Sequence, residues 1–352
     1  MKLVNAARPA AALLSVATAV TVVFASLTGC SALGTVRQKA DRAGLTFGTA
    51  IQAGDILDPD TKKFIAKNFN LIVPENTMKW ANLRPTKKFW NWSDMDHMVE
   101  FAEQNRIAMK GHTFVWHQQN PPYVSGLQTR EEALPLLIEQ ITEVMKRYRG
   151  RIREYDVANE VLNEDGTLRN TVWLRTIGPE YIDIAFKAAR EADPDAKLLL
   201  NDYSNEYAGT AKGDAFYELV RGMAERGVPI DGVGLQLHMI AENPLRRDAL
   251  DENIARFNAL GLYVSFTEVD VRVLMPVTPE KEAEQTAFYE GLLEAATAQE
   301  GAGSFILWGW RDAKSWIPAA FAGYGSAHPF DVQGKRKPLY DAMVKVISNA
   351  KR

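Results

Sequence analysis

The chain has 352 residues, of which 46% are hydrophobic and 24% charged, so it is ordinary for a globular protein and long enough for a large buried core. Its formal charge of −3 provides no basic excess to neutralise phosphates, which excludes nucleic acid as an expected partner. The single cysteine excludes an internal disulfide, and without a Cys/His cluster we expect no catalytic metal and no cofactor.

The first 30 residues differ in composition from the rest. A basic start precedes an uncharged apolar run from Ala10 to Leu27, which is typical of an export signal. The run ends in Leu27-Thr28-Gly29-Cys30, which resembles the lipobox of bacterial lipoproteins, where the chain is cut before a cysteine that then carries lipid. We therefore expect residues 1–30 to be a lipoprotein-type signal and Cys30 to anchor the exported protein to a membrane, on the periplasmic or the outer surface. An ordinary cleaved signal and a transmembrane helix are the alternatives.

Residues 31–44 are small, polar and charged without strong periodicity, and they predict a short tether. From residue 45 to 352, short apolar runs alternate with longer helical stretches. Strands are predicted at Leu45–Ile51, Asn70–Val73, Ile107–Gly111, Glu154–Val157, Lys197–Leu200, Gly232–Leu235, Tyr263–Thr267 and Ser304–Trp308. Helices are predicted around Thr61–Asn68, Ser93–Asn105, Arg130–Arg149, Pro179–Ala192, Lys212–Arg226, Arg246–Leu260, Pro279–Ala298 and Leu339–Ser348.

Regular strand and helix alternation predicts an α/β protein with a parallel sheet. Eight pairs with no linker between them favour a closed (β/α)8 TIM barrel as a single domain. A doubly wound sheet would need a phosphate-binding glycine fingerprint, and Gly232-Val233-Gly234 lacks its third glycine.

Polar and aromatic residues follow the predicted strands directly. They are Glu75, Asn76, His112, Trp116, Asn159, Glu160, Asn201, Asp202, Gln236, His238, Glu268 and Trp308. Because the carboxyl ends of barrel strands form one rim, we expect these residues to share a single cleft. Glu160 and Glu268 are the natural pair for glycoside hydrolysis, which needs an acid for the leaving oxygen and a second carboxylate. A gap of about 5 to 5.5 Å between them would mean retention of configuration, and about 6.5 to 9.5 Å would mean inversion.

Tryptophans close to these polar groups suit the same chemistry, because sugar rings present apolar faces and a belt of hydroxyls. Trp80, Trp116, Trp308, Trp310 and Trp316 lie at such positions, although a place in the core is the alternative for each.

Several segments resemble the family 10 glycoside hydrolases, which are mostly endo-β-1,4-xylanases, from about Leu45 to the C-terminus. The matching segments are Pro74-Glu75-Asn76-Thr77-Met78-Lys79-Trp80, Gly111-His112-Thr113-Phe114-Val115-Trp116-His117, Tyr155-Asp156-Val157-Ala158-Asn159-Glu160, Asn201-Asp202-Tyr203, Gly234-Leu235-Gln236-Leu237-His238, Thr267-Glu268-Val269-Asp270 and Trp308-Gly309-Trp310.

The resemblance implies a retaining enzyme in which Glu160 is the general acid/base and Glu268 the nucleophile, acting on xylan or xylo-oligosaccharides. It implies that Asn159, His112 and Trp116 bind the sugar being cleaved, that Gln236 supports the acid/base, and that His238 orients Glu268 together with Asp270. Three further groups of substrate-binding residues are implied: Glu75, Asn76, Lys79 and Gln119 for the next sugar on the non-reducing side, Trp308 and Trp316 as aromatic walls, and Tyr203 on the leaving-group side.

The chain departs from the family pattern at Tyr155 and Ala158, which are conservative changes in a buried strand and leave the catalytic pair intact. It departs again at Trp310 and Arg311, which leaves the leaving-group subsites and the chain-length preference open. A β-1,4-glucanase or aryl-glycosidase on the same barrel is one alternative, and a non-catalytic xylan-binding lipoprotein is another. No protein partner is implied.

Overall fold

The computed structural model describes residues 34–299 and 303–350, so the predicted signal and Cys30 lie outside the described residues. The strands within that range are β1 (Phe47–Ile51), β2 (Leu71–Pro74), β3 (Ala108–Val115), β4 (Glu154–Asn159), β5 (Lys197–Asp202), β6 (Gly232–Leu235), β7 (His238–Ile240), β8 (Tyr263–Leu274), β9 (Phe305–Leu307) and β10 (Tyr324–Gly325).

The helices are α1 (Val36–Ala43), α2 (Pro59–Asn68), α3 (Trp80–Leu83), α4 (Trp92–Gln104), α5 (Pro122–Ser125), α6 (Arg130–Arg147), α7 (Val172–Ile177), α8 (Tyr181–Ala192), α9 (Ala211–Glu225), α10 (Arg247–Ala259), α11 (Pro279–Ala298), α12 (Ile317–Ala320) and α13 (Pro338–Asn349). Within the described residues, no helix is long and apolar enough to span a membrane.

Eight parallel strands close into a barrel. β1 to β6 pair in sequence order, β6 pairs with β8, β8 pairs with β9, and β9 returns to β1. Helices connect successive strands on the outside, so the expected single-domain (β/α)8 barrel is confirmed. The short strands β7 and β10 pair with the far end of β8, and they extend the rim beyond the barrel wall.

Local capping signals explain why the main helices begin where the sequence predicts. Thr129 and Glu132 form a capping box at the start of α6, and Thr278 caps α11 with Pro279 in its first turn. These signals depend only on neighbouring residues, so they can be recognised without the tertiary structure.

The structure differs from the predicted tether at residues 36–43, which form helix α1. Thr35 and Gln38 make a capping box, and Val36, Ala40 and Ala43 place one small apolar face against the barrel. The backbone N–H of Val36 donates to the Tyr340 hydroxyl on α13 at 3.0 Å. Eight residues with three small apolar positions give a weak periodic signal, and packing on α13 supplies the stability that the isolated helix lacks.

Candidate active site

One cleft opens at the carboxyl ends of the barrel strands, with a volume of about 720 Å³. Each residue predicted to be catalytic or to bind substrate lines it: Glu75, Asn76, Lys79, His112, Trp116, Gln119, Asn159, Glu160, Tyr203, Gln236, His238, Glu268, Trp308 and Trp316. The predicted convergence is therefore present in the fold, because strands far apart in sequence end on the same rim. Asp270 lies behind this surface and is fully buried.

Glu268 is a buried carboxylate near the middle of β8. Its Oε1 accepts a hydrogen bond from Asn201 Nδ2 at 2.7 Å, and its Oε2 lies 3.4 Å from His238 Nε2. Donors on both oxygens hold the carboxylate in one orientation, as a nucleophile requires.

His238 lies between two carboxylates. Its Nδ1 is 2.9 Å from Asp270 Oδ2, and the same oxygen accepts the indole N–H of Trp316 at 2.8 Å. Burial acts to lower the pKa of His238, but the charges and hydrogen bonds of Asp270 and Glu268 outweigh it and raise that pKa to about 10. At neutral pH His238 is therefore an imidazolium that donates to both acids.

Glu160 follows β4, three strands around the barrel from β8, and lines the same cleft as Glu268. Its Oε1 accepts hydrogen bonds from Asn159 Nδ2 at 3.2 Å and Gln236 Nε2 at 3.3 Å, and its Oε2 lies 3.6 Å from His117 Nδ1. The backbone of Glu160 has φ 55°, in the left-handed region that is unfavourable for a residue with a Cβ atom. Burial lowers the pKa of His117, although the charge of Glu160 opposes this effect.

Side-chain amides join the two glutamates. Asn201 Nδ2, which donates to Glu268, also donates to Asn159 Oδ1 at 2.8 Å, and Asn159 Nδ2 donates to Glu160. Asn201 is oriented in turn by the Thr267 hydroxyl, which donates to its Oδ1 at 2.6 Å. This network fixes the spacing of the carboxylates through side chains that have little freedom to move.

A second polar cluster lies on the predicted non-reducing side. Asn76 Oδ1 accepts from Lys79 Nζ at 3.1 Å and from Gln119 Nε2 at 2.9 Å, and Asn76 Nδ2 lies 3.4 Å from Glu75 Oε1. Burial lowers the pKa of Lys79, and the charges of Glu268, Glu75 and Glu160 partly offset the change. Burial also raises the pKa of Glu75, against the effect of Lys79. The cluster supplies both donors and acceptors for sugar hydroxyls.

Aromatic rings form the walls of the cleft. Lys79 Nζ lies 4.5 Å from the ring centre of Trp116 and 5.9 Å from that of Trp308. The Trp308 ring packs edge-on against His112 at 5.0 Å, and Trp316 packs edge-on against His238 at 4.9 Å. Flat apolar surfaces therefore flank the polar groups, which suits a pyranose ring.

His112 is held from beneath by buried charges in the barrel. Its Nδ1 lies 2.9 Å from Asp156 Oδ2, and Lys110 Nζ lies 2.8 Å from the other oxygen of Asp156 and 2.9 Å from Glu154. The Nδ1 proton of His112 is thus directed into the barrel, which leaves Nε2 to face the cleft.

Tyr203 lies where the cleft continues towards the predicted leaving-group side. Lys212 Nζ lies 3.4 Å from its ring centre and pairs with the buried Asp202 at 2.9 Å. Burial raises the pKa of Asp202 to about 7, although Lys212 opposes this. An adjoining cavity of about 550 Å³ begins at Tyr203, so the cleft has room beyond the two glutamates.

Two tryptophans with the predicted sequence pattern belong to the core instead. Trp80 is buried and donates its indole N–H to the Phe114 carbonyl, and Trp310 is buried beside Phe64. Their neighbours in sequence reach the cleft, but their own side chains point inward. Adjacency to a polar residue was therefore too weak a signal for these positions.

Sequence reasoning also gave no role to several residues that act in the cleft. Asn201 carries the same signal as the others, a polar residue at the end of a strand, but its contact with Glu268 depends on the tertiary structure. His117 lies in a segment that matches the family, but the resemblance gave it no role, and Arg169 lies on a loop with no strand-end signal. In residues 34–299 and 303–350, histidines and acids form no group that could hold a metal ion.

Comparison with known proteins agrees with this geometry. The family model "Glycosyl hydrolase family 10" matches residues 35–346. Endo-1,4-beta-xylanase B of Thermotoga neapolitana is 36% identical over 316 residues, covering 88% of this chain and 90% of that protein. Endo-1,4-beta-xylanase D of Talaromyces funiculosus is 37% identical over 325 residues, covering 91% and 79%.

Solved structures show the same similarity. The crystal structure of xylanase 10B from Thermotoga petrophila RKU-1 in complex with xylobiose superposes with a TM-score of 0.86 at 36% identity, covering 89% of this chain and 97% of that one. Native xylanase 10B from Thermotoga maritima gives the same TM-score and identity, with 89% and 98% coverage. The match across the barrel, together with the two facing glutamates, shows that this chain belongs to glycosyl hydrolase family 10.

Proposed function

We propose that this protein is a retaining endo-β-1,4-xylanase in which Glu268 is the nucleophile and Glu160 the general acid/base. The observation that carries the assignment is the pair of carboxylates, one directly after β4 and one within β8, which line one cleft and are joined through Asn159 and Asn201. Membership of the family makes the protein a glycoside hydrolase, and the similar proteins described above are xylanases.

Hydrolysis proceeds by double displacement. A Glu268 oxygen attacks the anomeric carbon of a xylose unit, and the bond to the leaving oxygen breaks as that oxygen takes the proton of Glu160. The product is an ester between the sugar and Glu268. Glu160 then takes a proton from water as the water oxygen attacks the anomeric carbon, and the ester bond breaks to restore the Glu268 carboxylate.

The surrounding residues favour this pathway. Asn159 lines the cleft beside Glu160, and we infer that it binds the 2-hydroxyl of the sugar under attack through a hydrogen bond that strengthens as positive charge develops. The imidazolium of His238 lies 3.4 Å from Glu268 Oε2 and orients that carboxylate. Lys79 and Trp316 both line the cleft, and we infer that they exclude the hydroxymethyl group of glucose sterically, so that the site prefers xylose.

The test compares wild type, Glu268→Ala and Glu284→Ala on β-1,4-xylan and short xylo-oligosaccharides, with the anomeric configuration of the products followed by NMR. Glu284 is an exposed residue of α11 and serves as the control. We expect internal cleavage with retained β-configuration in the wild type and the control. Glu268→Ala should lose activity by about 10⁴-fold or more, the scale found when a covalent catalytic residue is removed.

Inverted products, or full activity in Glu268→Ala, would show that the second carboxylate is wrongly assigned. Cleavage of β-1,4-glucan with xylan untouched would keep the mechanism and change the substrate.

We also propose that the protein is exported and anchored to a membrane through lipid on Cys30. The support is the apolar segment and the Leu27-Thr28-Gly29-Cys30 sequence, together with the short distance in sequence between Cys30 and α1.

A further inference from the structure

We propose that Arg169 is a positioning residue that holds the backbone of Glu160 in the conformation needed for proton transfer. The inference rests on the proposed role of Glu160. Among the described residues, no hydrogen bond joins Arg169 to the Glu160 carboxylate; its guanidinium binds the main-chain carbonyls of Glu160 and Leu162.

The chain reaches this arrangement by folding back after β4. Residues 161–169 form a narrow loop in which Leu162 and Leu168 make an antiparallel bridge, and Asn163 N donates to the Thr167 carbonyl at 2.8 Å. The return of the loop brings Arg169 beside the residue that precedes it by nine positions. The sequence alone gives no sign of this contact.

Three acceptors fix the guanidinium. Arg169 Nε donates to the Glu160 carbonyl at 2.9 Å, and Nη2 donates to the Leu162 carbonyl at 2.8 Å and to the Tyr203 hydroxyl at 2.9 Å. A planar guanidinium bound at three points has little freedom, so it can act as a rigid brace. No carboxylate within the described part of the chain forms an ion pair with it.

Glu160 needs such a brace because its backbone is in the left-handed region. Its N–H donates to the Asn201 carbonyl at 2.9 Å, and its own carbonyl accepts from Arg169, so both sides of the residue are held. If Arg169 is removed, the carbonyl is released and φ can relax to a negative value. That rotation moves Cβ and turns the carboxylate away from the leaving oxygen.

The contact with Tyr203 gives the brace a link to the leaving-group side. Tyr203 lines both the cleft and the adjoining cavity, and it shares Arg169 with the carbonyl of the acid/base. A leaving group that packs against Tyr203 therefore contacts a residue bound to Arg169, which also holds the carbonyl of Glu160, the proposed proton donor.

The way in which kcat/KM depends on the leaving group distinguishes this positioning role from a merely structural one. A dinitrophenyl leaving group departs without a proton, whereas a phenyl group or a sugar needs one. We expect Arg169→Met to reduce kcat/KM on phenyl β-xylobioside and xylotetraose by about 10²-fold, but to change kcat/KM on 2,4-dinitrophenyl β-xylobioside by less than about 3-fold, because general acid catalysis is worth about 10² to 10⁴.

Azide provides a second readout. In the second step azide attacks the anomeric carbon as the bond to Glu268 breaks, and it needs no proton removed. Azide should therefore raise kcat of Arg169→Met on the dinitrophenyl substrate and yield xylobiosyl azide, with no such rise in the wild type. Arg169→Lys keeps one donor and should show a smaller loss of the same kind, and it replaces Arg169→Met if that variant fails to fold by circular dichroism.

Arg175→Met is the matched control, because Arg175 is an exposed arginine of α7 whose guanidinium donates to the carbonyl and side chain of Asn170. It should match the wild type on all three substrates. An equal loss on all substrates, without an azide effect, would overturn the proposal for Arg169. A wild type inactive on every xyloside would instead refute the proposed function.

Discussion

The orientation of Glu268 depends on the charge of His238, which lies on β7 and not on β8. His238 stays protonated because Asp270 and Glu268 together outweigh its burial, and it places a donor 3.4 Å from Glu268 Oε2. Asp270 is in turn shared with the Trp316 indole. The orientation of Glu268, the proposed nucleophile, therefore depends on Asp270, which is buried behind the cleft.

Asp270→Asn should return the pKa of His238 towards its ordinary value of about 6.5. Without the imidazolium, Glu268 loses an oriented charged donor, so kcat/KM on xylotetraose should fall most between pH 7 and pH 9, where only the wild type keeps the charge. The measurements are nitrogen NMR of the imidazole and the pH profile of kcat/KM, with the exposed Asp341→Asn as control.

Stability should change in the same pH range. Because folding raises the pKa of His238, its contribution to the free energy of unfolding is complete below about pH 6.5 and is lost as the pH approaches 10. This decline should be weaker in Asp270→Asn. A variant in which His238 still titrates near pH 10 would contradict the role given to Asp270.

Strand β8 shows how a single element builds half of the site. Glu268 and Asp270 are two residues apart and so lie on the same face of the strand, and β7 pairs with it so that His238 is opposite Asp270. Strand pairing thus delivers the imidazole to both carboxylates. A shorter β8, ending at the predicted Thr267, would provide no partner for β7.

Helix α1 contributes to stability from the outside of the barrel. It buries Val36, Ala40 and Ala43, and Arg37 donates to the carbonyls of Ala66, Asn105 and Arg106. Ala66 lies in the last turn of α2, and Asn105 and Arg106 directly follow α4, so α1 is bound to these two helices as well as to α13.

A chain that begins at Gly34 should have the same free energy of unfolding as the mature protein, whereas one that begins at Gly44 should lose about 3 kcal/mol or more through the lost burial of Val36 and the hydrogen bonds of Arg37. Urea denaturation measures the difference, and the Gly34 chain is the control. Equal stability of the two chains would mean that docking of α1 adds nothing to the barrel.

At the scale of the whole molecule, the cleft is assembled from residues between Glu75 and Phe321. The anchor proposed at Cys30 lies well before this range in sequence, so anchoring and catalysis should be separable.

Cys30→Ser should move the protein from the membrane fraction to the soluble fraction, with kcat/KM on xylotetraose unchanged. The measurements are the distribution of the protein between membrane and soluble fractions of the cells that produce it, and kcat/KM on xylotetraose in each fraction. Ser31→Ala is the control. Retention of Cys30→Ser in the membrane would favour a transmembrane helix, and a soluble wild type would favour an ordinary cleaved signal; either result would overturn the lipid anchor.

The sequence by itself determined the alternation of eight strands and helices, and hence the barrel. The strand ends also predicted that Glu160, Glu268 and the polar residues beside them share one rim, because periodic patterns and the ends of strands are local features. Lys79, Gln119 and Tyr203 were predicted only from the resemblance to the family. The α1 segment was predicted as a tether because its small apolar face gains stability only from α13.

Only the tertiary structure decided which side chains touch. Asn201 joins Glu268 to Asn159, and Arg169 returns to the carbonyl of Glu160, through contacts between residues whose spacing follows no helical or strand period. The side chains of Trp80 and Trp310 are buried in the core because the direction of a side chain depends on the packing around it, which the sequence pattern does not show. Hydrogen bonds of this kind form between surfaces that folding brings together, so their partners cannot be identified from neighbouring residues alone.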